Sequence, residues 1–374
     1  MITFRPSEGP TLGVEWELAL VDAQSLDLTP RAAEVVEAID APVASRVHRE
    51  LLSNTVELVT DIARTVPEAV DDLAEGVAVL ESVTKDLGVE LISAGTHPFA
   101  RADLQEVSDG EHYATLIDRT RWWGRQMVIY GVHVHVGIGD QAKVMPIING
   151  LLPYVPHLQA LSASSPFWAG VDTGFASNRA LLFQQLPTAG LPFQFDTWAE
   201  YERYADDLMT TGVIDQLKEI RWDIRPAGHL GTIENRVCDG VPNLTELASL
   251  TALIQCLVVG LDDRLTDGGT LSTLPPWHVQ ENKWRAARYG LDALIILDEH
   301  NRERLVTGSL EDLLERLMPI ARRLGCATEL AGIEQIMTTG ASYQRQLAVA
   351  ADRDGDLRAV VRSLIDELHA GHPL

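Results

Sequence analysis

The stretch GVHVHVGI, Gly131 to Ile138, alternates strictly, with Val132, Val134 and Val136 on one side of an extended chain and His133 and His135 on the other. A period of two marks a strand with one packed face. The imidazole pair on the opposite face then has to meet something. TLGVEWELALV, residues 11 to 21, repeats the pattern with Val14, Trp16, Leu18 and Leu20 on one side and Glu15 and Glu17 on the other. Gly13 shares the acidic side and carries no side chain, which leaves room for a bound group. TVELVTD, from Thr55, sets Glu57 in an otherwise apolar strand, and Glu50 in HRELL lies far enough upstream to sit across a turn or at the end of an adjacent element. RWDIRP and HLGTIENRV read as two more strands. In them Arg221 and Arg225 alternate with Trp222 and Ile224, and Glu234 shares a face with Thr232 and Arg236.

Between these strands, Pro67 opens and Gly88 closes a long amphipathic helix, as expected of Pro at a first turn and Gly past an end. VELISAGTHP reads as a strand, DGEHYATLIDRTRWWGRQ as one helix, and residues 141 to 163 as partly helical. SASSPFWAG, VDTGFASNR and PTAGLP form a loop-rich middle, and almost everything after Pro242 has helical period. Strands in the first two thirds and helices in the last third favour an α+β fold. With no repeat and no hinge-like linker, the 374 residues read as one domain, with a mostly helical C-terminal third from about 243 to 374.

Thirty basic against 54 acidic residues give a net charge of −24, so no basic face offers itself to a phosphate backbone and nucleic acid is not expected as a partner. No signal-like basic and apolar start is present. Leu247 to Leu261 falls short of the ~20 apolar residues that cross a bilayer, so a buried helix and no membrane partner are expected. Cys238, Cys256 and Cys326 are far apart in sequence and form no CxxC, the pattern of reduced thiols in a cytoplasmic protein.

Carboxylates crowded on one face repel unless something positive lies between them. An isolated ExE on a half-solvated sheet simply faces water. Glu15, Glu17, Glu50, Glu57 and Glu234 with one imidazole make a different inventory, an oxygen-rich set that suits Mg²⁺ or Mn²⁺ better than Zn²⁺, and more than one ion. Arg225 and Arg236 beside such acids suit a phosphoryl group, the alternative being structural ion pairing. No GxxxxGK[ST] and no strand-to-helix GxGxxG is present, so ATP, if bound, is held by ions and arginines. Arg179 in GFASNR is a candidate clamp for a substrate carboxylate. Arg285 and Arg288 in ENKWRAARYG either flank a nucleotide or lie on a solvated helix face. Trp222, Trp277 and Trp284 read as packing, and His97 and His112 receive no role.

Taken together, TLGVEWEL, GVHVHVGI, SASSPFWAGVDTGFASNRA, PTAGLP, GTIENR and ENKWRAARYGLDA resemble the type 2 glutamate-cysteine ligases, or carboxylate-amine ligases, of the glutamine synthetase-like superfamily. The resemblance runs from about residue 11 to 293. It implies a curved, mainly antiparallel sheet forming an open funnel with helices outside. It also implies metal ligation by Glu15, Glu17, Glu50, Glu57, His133 and Glu234, catalytic roles for Arg225 and Arg236, and ATP or substrate contacts from His135, Arg179, Arg236 and Arg285. His135 departs from the related type 1 ligases and is similar to glutamine synthetases. The implied substrates are ATP, a carboxylate such as glutamate and an amine such as cysteine; the oligomeric state is open, a homo-oligomer included. Three other readings stand beside this one: a metal-dependent hydrolase using the HxH strand, a guanidino phosphotransferase, and a metal- or nucleotide-binding relative without the chemistry.

Overall fold

The computed structural model describes residues 2–374 and places the alternating segments side by side. Its seven-stranded sheet runs in the order β2 (Val47–Arg49), β3 (Thr55–Val59), β1 (Leu12–Asp22), β5 (Gly131–Gly137), β9 (Thr232–Asp239), β8 (Ile224–Ala227), with β4 (Val89–Ile92) also on β1. Every pairing is antiparallel. The expectation of a mainly antiparallel open sheet with helices packed outside therefore holds.

Register decides which side chains meet. Glu15 stands opposite His133, Gly13 opposite His135, Glu17 opposite Glu57, and His135 opposite Glu234, which in turn faces Arg225. Cross-strand partners share a face, so these residues form one polar surface. The other surface carries Val14, Trp16, Leu18, Val132, Val134 and Val136, all buried in the main core. Between β5 and β9 the register slips: Val132 pairs with Cys238 but Val134 with Asn235, so β9 holds an extra residue opposite His133. Such a bulge re-aims side chains. It brings Arg236 to His133, with Nη1 3.4 Å from Nδ1.

Helices cover the apolar side. Val66–Asp86 starts on Thr65, whose hydroxyl accepts from the Glu68 amide, and ends before Gly88 in a left-handed conformation, as its sequence predicts. Leu244–Thr266 is long and apolar enough to cross a membrane by length and composition, longer than its sequence suggested, and every residue from Glu246 to Val259 is buried in the fold. Two expectations are corrected. The helix read across residues 109–126 breaks at Arg121, whose φ is +53°, leaving Glu111–Thr120 and Trp122–Arg125. The strand read from VELISAGTHP stops at Ile92. In the loop-rich middle, β6 (Phe167–Trp168) and β7 (Val171–Asp172) form a minimal pair. Beyond Pro242 the helices are interrupted by the hairpin β10 (Leu294–Ile296) and β11 (Glu303–Leu305). Cys256 and Cys326, distant in sequence, lie with their sulfurs 3.7 Å apart as buried free thiols.

The last helices are fastened by a buried ionic knot. Arg345 donates to Glu246 and Glu367, both at 2.7 Å, and Asn243 bonds both acids at 3.1 Å. Removing one member of a buried pair strands the other charge, at a cost of about 3–5 kcal/mol. Arg345→Met is therefore expected to lower the free energy of unfolding by about that much, read by urea titration of the circular dichroism signal.

Candidate active site

Strand alternation alone delivers the polar face, and its geometry shows which members interact. Glu15 bridges the two histidines, with Oε2 2.8 Å from His133 Nδ1 and Oε1 3.0 Å from His135 Nε2. His135 is further fixed by Thr232, whose hydroxyl lies 2.9 Å from Nδ1. Burial opposes ionisation of Glu15, but the hydrogen bonds and charge of the imidazoles hold its carboxyl well below the usual range. Burial also pushes the His133 imidazolium down, reinforced by Arg236, whereas for His135 it is outweighed by Glu234 and Glu15, which raise it.

Glu234 lies at the other edge of the face. Arg225 grips it with Nε 2.6 Å from Oε2 and Nη2 3.1 Å from Oε1, and Arg236 donates to Oε1. Burial acts against its charge, yet the two guanidinium groups keep the carboxyl below its ordinary value. No cation is bonded to the acids of the opposite corner, where Glu17, Glu50 and Glu57 gather, and the charge of Arg236 offsets their burial only in part. Burial followed by repulsion from Glu17 pushes Glu50 up to about 7, and burial with Glu50, Glu15 and Glu17 raises Glu57 well above its usual value.

Three overlapping sets have ligand atoms all within 4.8 Å of one another and could hold an ion: Glu15 with Glu57 and His133, Glu15 with His135 and Glu234, and Glu17 with Glu50 and Glu57. The donors fit divalent cations, being mostly carboxylate oxygens. His133 Nε2 is also buried without a partner, as a nitrogen kept for a metal would be.

The face opens into a cavity of about 750 Å³ lined by Glu17, Glu50, His133, Arg179, Arg225 and Arg236, among others. Arg179 reaches it from the helix Asn178–Phe183, whose start is pinned by Asp239. That buried carboxylate accepts from Ser165 Oγ at 2.7 Å and Ser177 Oγ at 2.8 Å. A methyl group at Gly131 would overlap the Arg179 guanidinium, so this close approach requires glycine.

Of the residues predicted from sequence, Glu15, Glu17, Glu50, Glu57, His133, His135, Glu234, Arg225 and Arg236 converge here, and Arg179 joins them. Arg285 does not. It lies on the helix Pro276–Tyr289, away from the cavity lining, and its charge is taken up by Glu281 at 2.8 Å and by Glu303. Arg288 is likewise outside the lining. His97 is structural, with Nε2 3.0 Å from the Leu26 carbonyl and Nδ1 accepting from the Ala100 amide. Trp222 is buried, and Trp277 and Trp284 are exposed away from the cavity. Sequence reasoning missed Asp239 and the rim residues His112, Arg119 and Lys218. Asp239 alone left a signal, an acid in an apolar run ending a strand.

The family described as glutamate-cysteine ligase family 2 matches residues 11–363. A protein of Mycolicibacterium paratuberculosis is 61% identical over 98% of this chain and 97% of its own length. One of Mycobacterium tuberculosis H37Rv is 60% identical over 98% and 97%. Both carry the name "Putative glutamate--cysteine ligase 2". Among solved structures, a glutamate-cysteine ligase of Francisella tularensis in complex with AMP aligns with a TM-score of 0.62 at 13% identity, over 98% of this chain and 94% of that one. A bifunctional glutathione synthetase of Pasteurella multocida aligns with a TM-score of 0.68 at 15% identity, over 97% of this chain and 52% of that one. At these identities the structures speak for the fold.

The crowded acids also set a pH dependence. Glu50 and Glu57 have folded pKa values above the ordinary 4.5, so their protonated forms favour folding. That contribution is complete below about 4.5 and is lost as pH rises, for Glu50 through about 7. The melting temperature of chelator-treated protein is therefore expected to fall between about pH 5 and pH 8 from these groups. Millimolar Mg²⁺ or Mn²⁺ should restore several degrees at the upper end and little at the lower, read by calorimetry.

Proposed function

The chain belongs to glutamate-cysteine ligase family 2, and from this we propose that it joins a substrate carboxylate, with glutamate the first candidate, to an amine such as cysteine, using ATP. The observation that carries the reading is the convergence of five carboxylates and two imidazoles on one sheet face beside Arg225 and Arg236.

A carboxylate resists attack by an amine because its negative charge shields the carbonyl carbon and its oxygen is a poor leaving group. Transfer of the ATP γ-phosphoryl group to that oxygen gives an acyl phosphate. The amine nitrogen then bonds to the acyl carbon, the carbon–oxygen bond to phosphate breaks, and amide, ADP and phosphate result. Mg²⁺ or Mn²⁺, held by Glu15, Glu17, Glu50, Glu57, His133 and Glu234, would neutralise and polarise the phosphates. Arg236, with Nε buried and unpartnered, would bind the transferring group, and Arg225, whose donors go to Glu234 and to the Lys218 and Ile220 carbonyls, would add its charge. Arg179 would bind a substrate carboxylate, and the recess would shelter the acyl phosphate from water. The hydrolase reading loses its structural basis, because the HxH strand lies in an antiparallel sheet and not in a parallel barrel.

Incubation with ATP, Mg²⁺, glutamate and cysteine should release ADP only when the amine is present. Glu15→Gln or Glu57→Gln should lower that rate by more than about 100-fold, beyond the 10–100-fold typical of groups that merely orient a ligand. Without added metal the melting temperature should stay level or rise for Glu57→Gln, and fall for Glu15→Gln, which loses the carboxylate that bridges the two imidazoles. Full turnover of either variant at limiting Mg²⁺ would overturn the ligand assignment.

A further inference from the structure

Arg179 is a buried cation, 3% exposed, that makes no ion pair among the described residues. Its Nη1 donates to the Arg236 carbonyl at 3.2 Å, and its Nε has no partner. The buried carboxylate of Asp239 acts on it through charge but is hydrogen-bonded to Ser165 and Ser177, so the guanidinium keeps donors for an anionic ligand. One side of it is apolar. Phe183 sits under two guanidinium groups, 5.6 Å from Arg179 and 5.9 Å from Arg236. Met127, Phe183 and Leu186 form a hydrophobic cluster separate from the main core, extended by Leu51 and Ile129. All five line the cavity.

We propose that Arg179 and this wall form the amine-substrate subsite, and that its substrates are α-amino acids with apolar side chains, including ones larger than cysteine. The inference rests on the ligase reading and names the acceptor class for it. The carboxylate to be phosphorylated belongs at the acidic face, where ions can reach it. A carboxylate at Arg179 has its neighbouring carbons against the wall, which has no acid to receive a second ammonium group. An acceptor amino acid suits this because its amine is neutral when it attacks: its nitrogen bonds to the acyl carbon, phosphate departs with the carbon–oxygen electron pair, and the amine proton passes to solvent. Cysteine fits as a small hydrophobe, but a wall of five large side chains rewards a larger one.

The test compares acceptors on the wild-type protein with ATP, Mg²⁺ and glutamate, reading both amide by mass spectrometry and acceptor binding by calorimetry with a non-hydrolysable ATP analogue. Leucine, methionine and 2-aminobutyrate should match or exceed cysteine in kcat/KM. Serine should fall about 10–100-fold below 2-aminobutyrate, the usual scale for one group in an apolar pocket. 3-Methylbutylamine, which is leucine without its carboxylate, should be at least about 100-fold poorer than leucine, and Arg179→Met should erase that difference. Met127→Phe should depress leucine relative to cysteine. Amide formed with cysteine but neither amide nor binding with leucine and methionine would overturn the acceptor class and leave the ligase standing. Arg179-dependent leucine binding without amide from any amine would uphold the subsite and overturn the ligase. Neither binding nor amide would overturn both.

Discussion

The constraint on which the structure turns is the repulsion of carboxylates that strand alternation forces onto one face. Val14, Trp16, Leu18, Val132, Val134 and Val136 must all point into the core, so the residues between them have no choice of side. The protein answers this repulsion unevenly. Glu234 is neutralised from within by Arg225 and Arg236, and Glu15 is hydrogen-bonded by two imidazoles, of which only His135 is held toward its charged form. Glu17, Glu50 and Glu57 have no comparable partners, and there protons or metal ions must supply the charge. Dependence on cations is thus concentrated at one corner of the face. Because Glu15 and Glu57 each belong to two of the possible ion-binding sets, occupancy of one affects the donors left for the next.

Much of this was legible in the sequence because a period of two survives any folding detail. The pairs Glu15 with Glu17 and His133 with His135 declare a shared face from spacing alone, and Glu57, Glu234 and Arg225 follow by the same rule. Glu50 was harder: it lies just past β2, where no periodicity applies, and only its distance along the chain from Glu57 suggested a place across a turn. Register was not legible at all. Nothing in the order of residues says that Glu17 faces Glu57 or that Glu234 meets Arg225.

The failures have physical causes too. Arg285 looked like a nucleotide contact because helical spacing does not show which acids lie across space, and Glu303 comes from β11, beyond the helix. Arg179 is the converse case. Its local sequence is compatible with a surface salt bridge, and only the fold shows a buried guanidinium that no carboxylate hydrogen-bonds. The break at Arg121 falls at an exposed residue within a run whose preferences favour continuing the helix, so periodicity alone gave no sign of it. The wall of Met127, Phe183 and Leu186 is drawn from non-adjacent segments with no common pattern.

The extra residue in β9 has a consequence for how this chain can vary. Upstream of it, Glu234 faces His135 on the acidic surface; downstream, Asp239 opposite Gly131 anchors the segment that carries Arg179. The irregularity is a phase shift that lets residues of opposite parity serve the same surface. Losing a single codon between Asn235 and Cys238 would restore unbroken alternation with Glu234 and Asp239 still on one face, and would remove the bulge that presents Arg236 to His133. What the extra residue supplies is therefore the aim of the guanidinium, not the facing of the two acids.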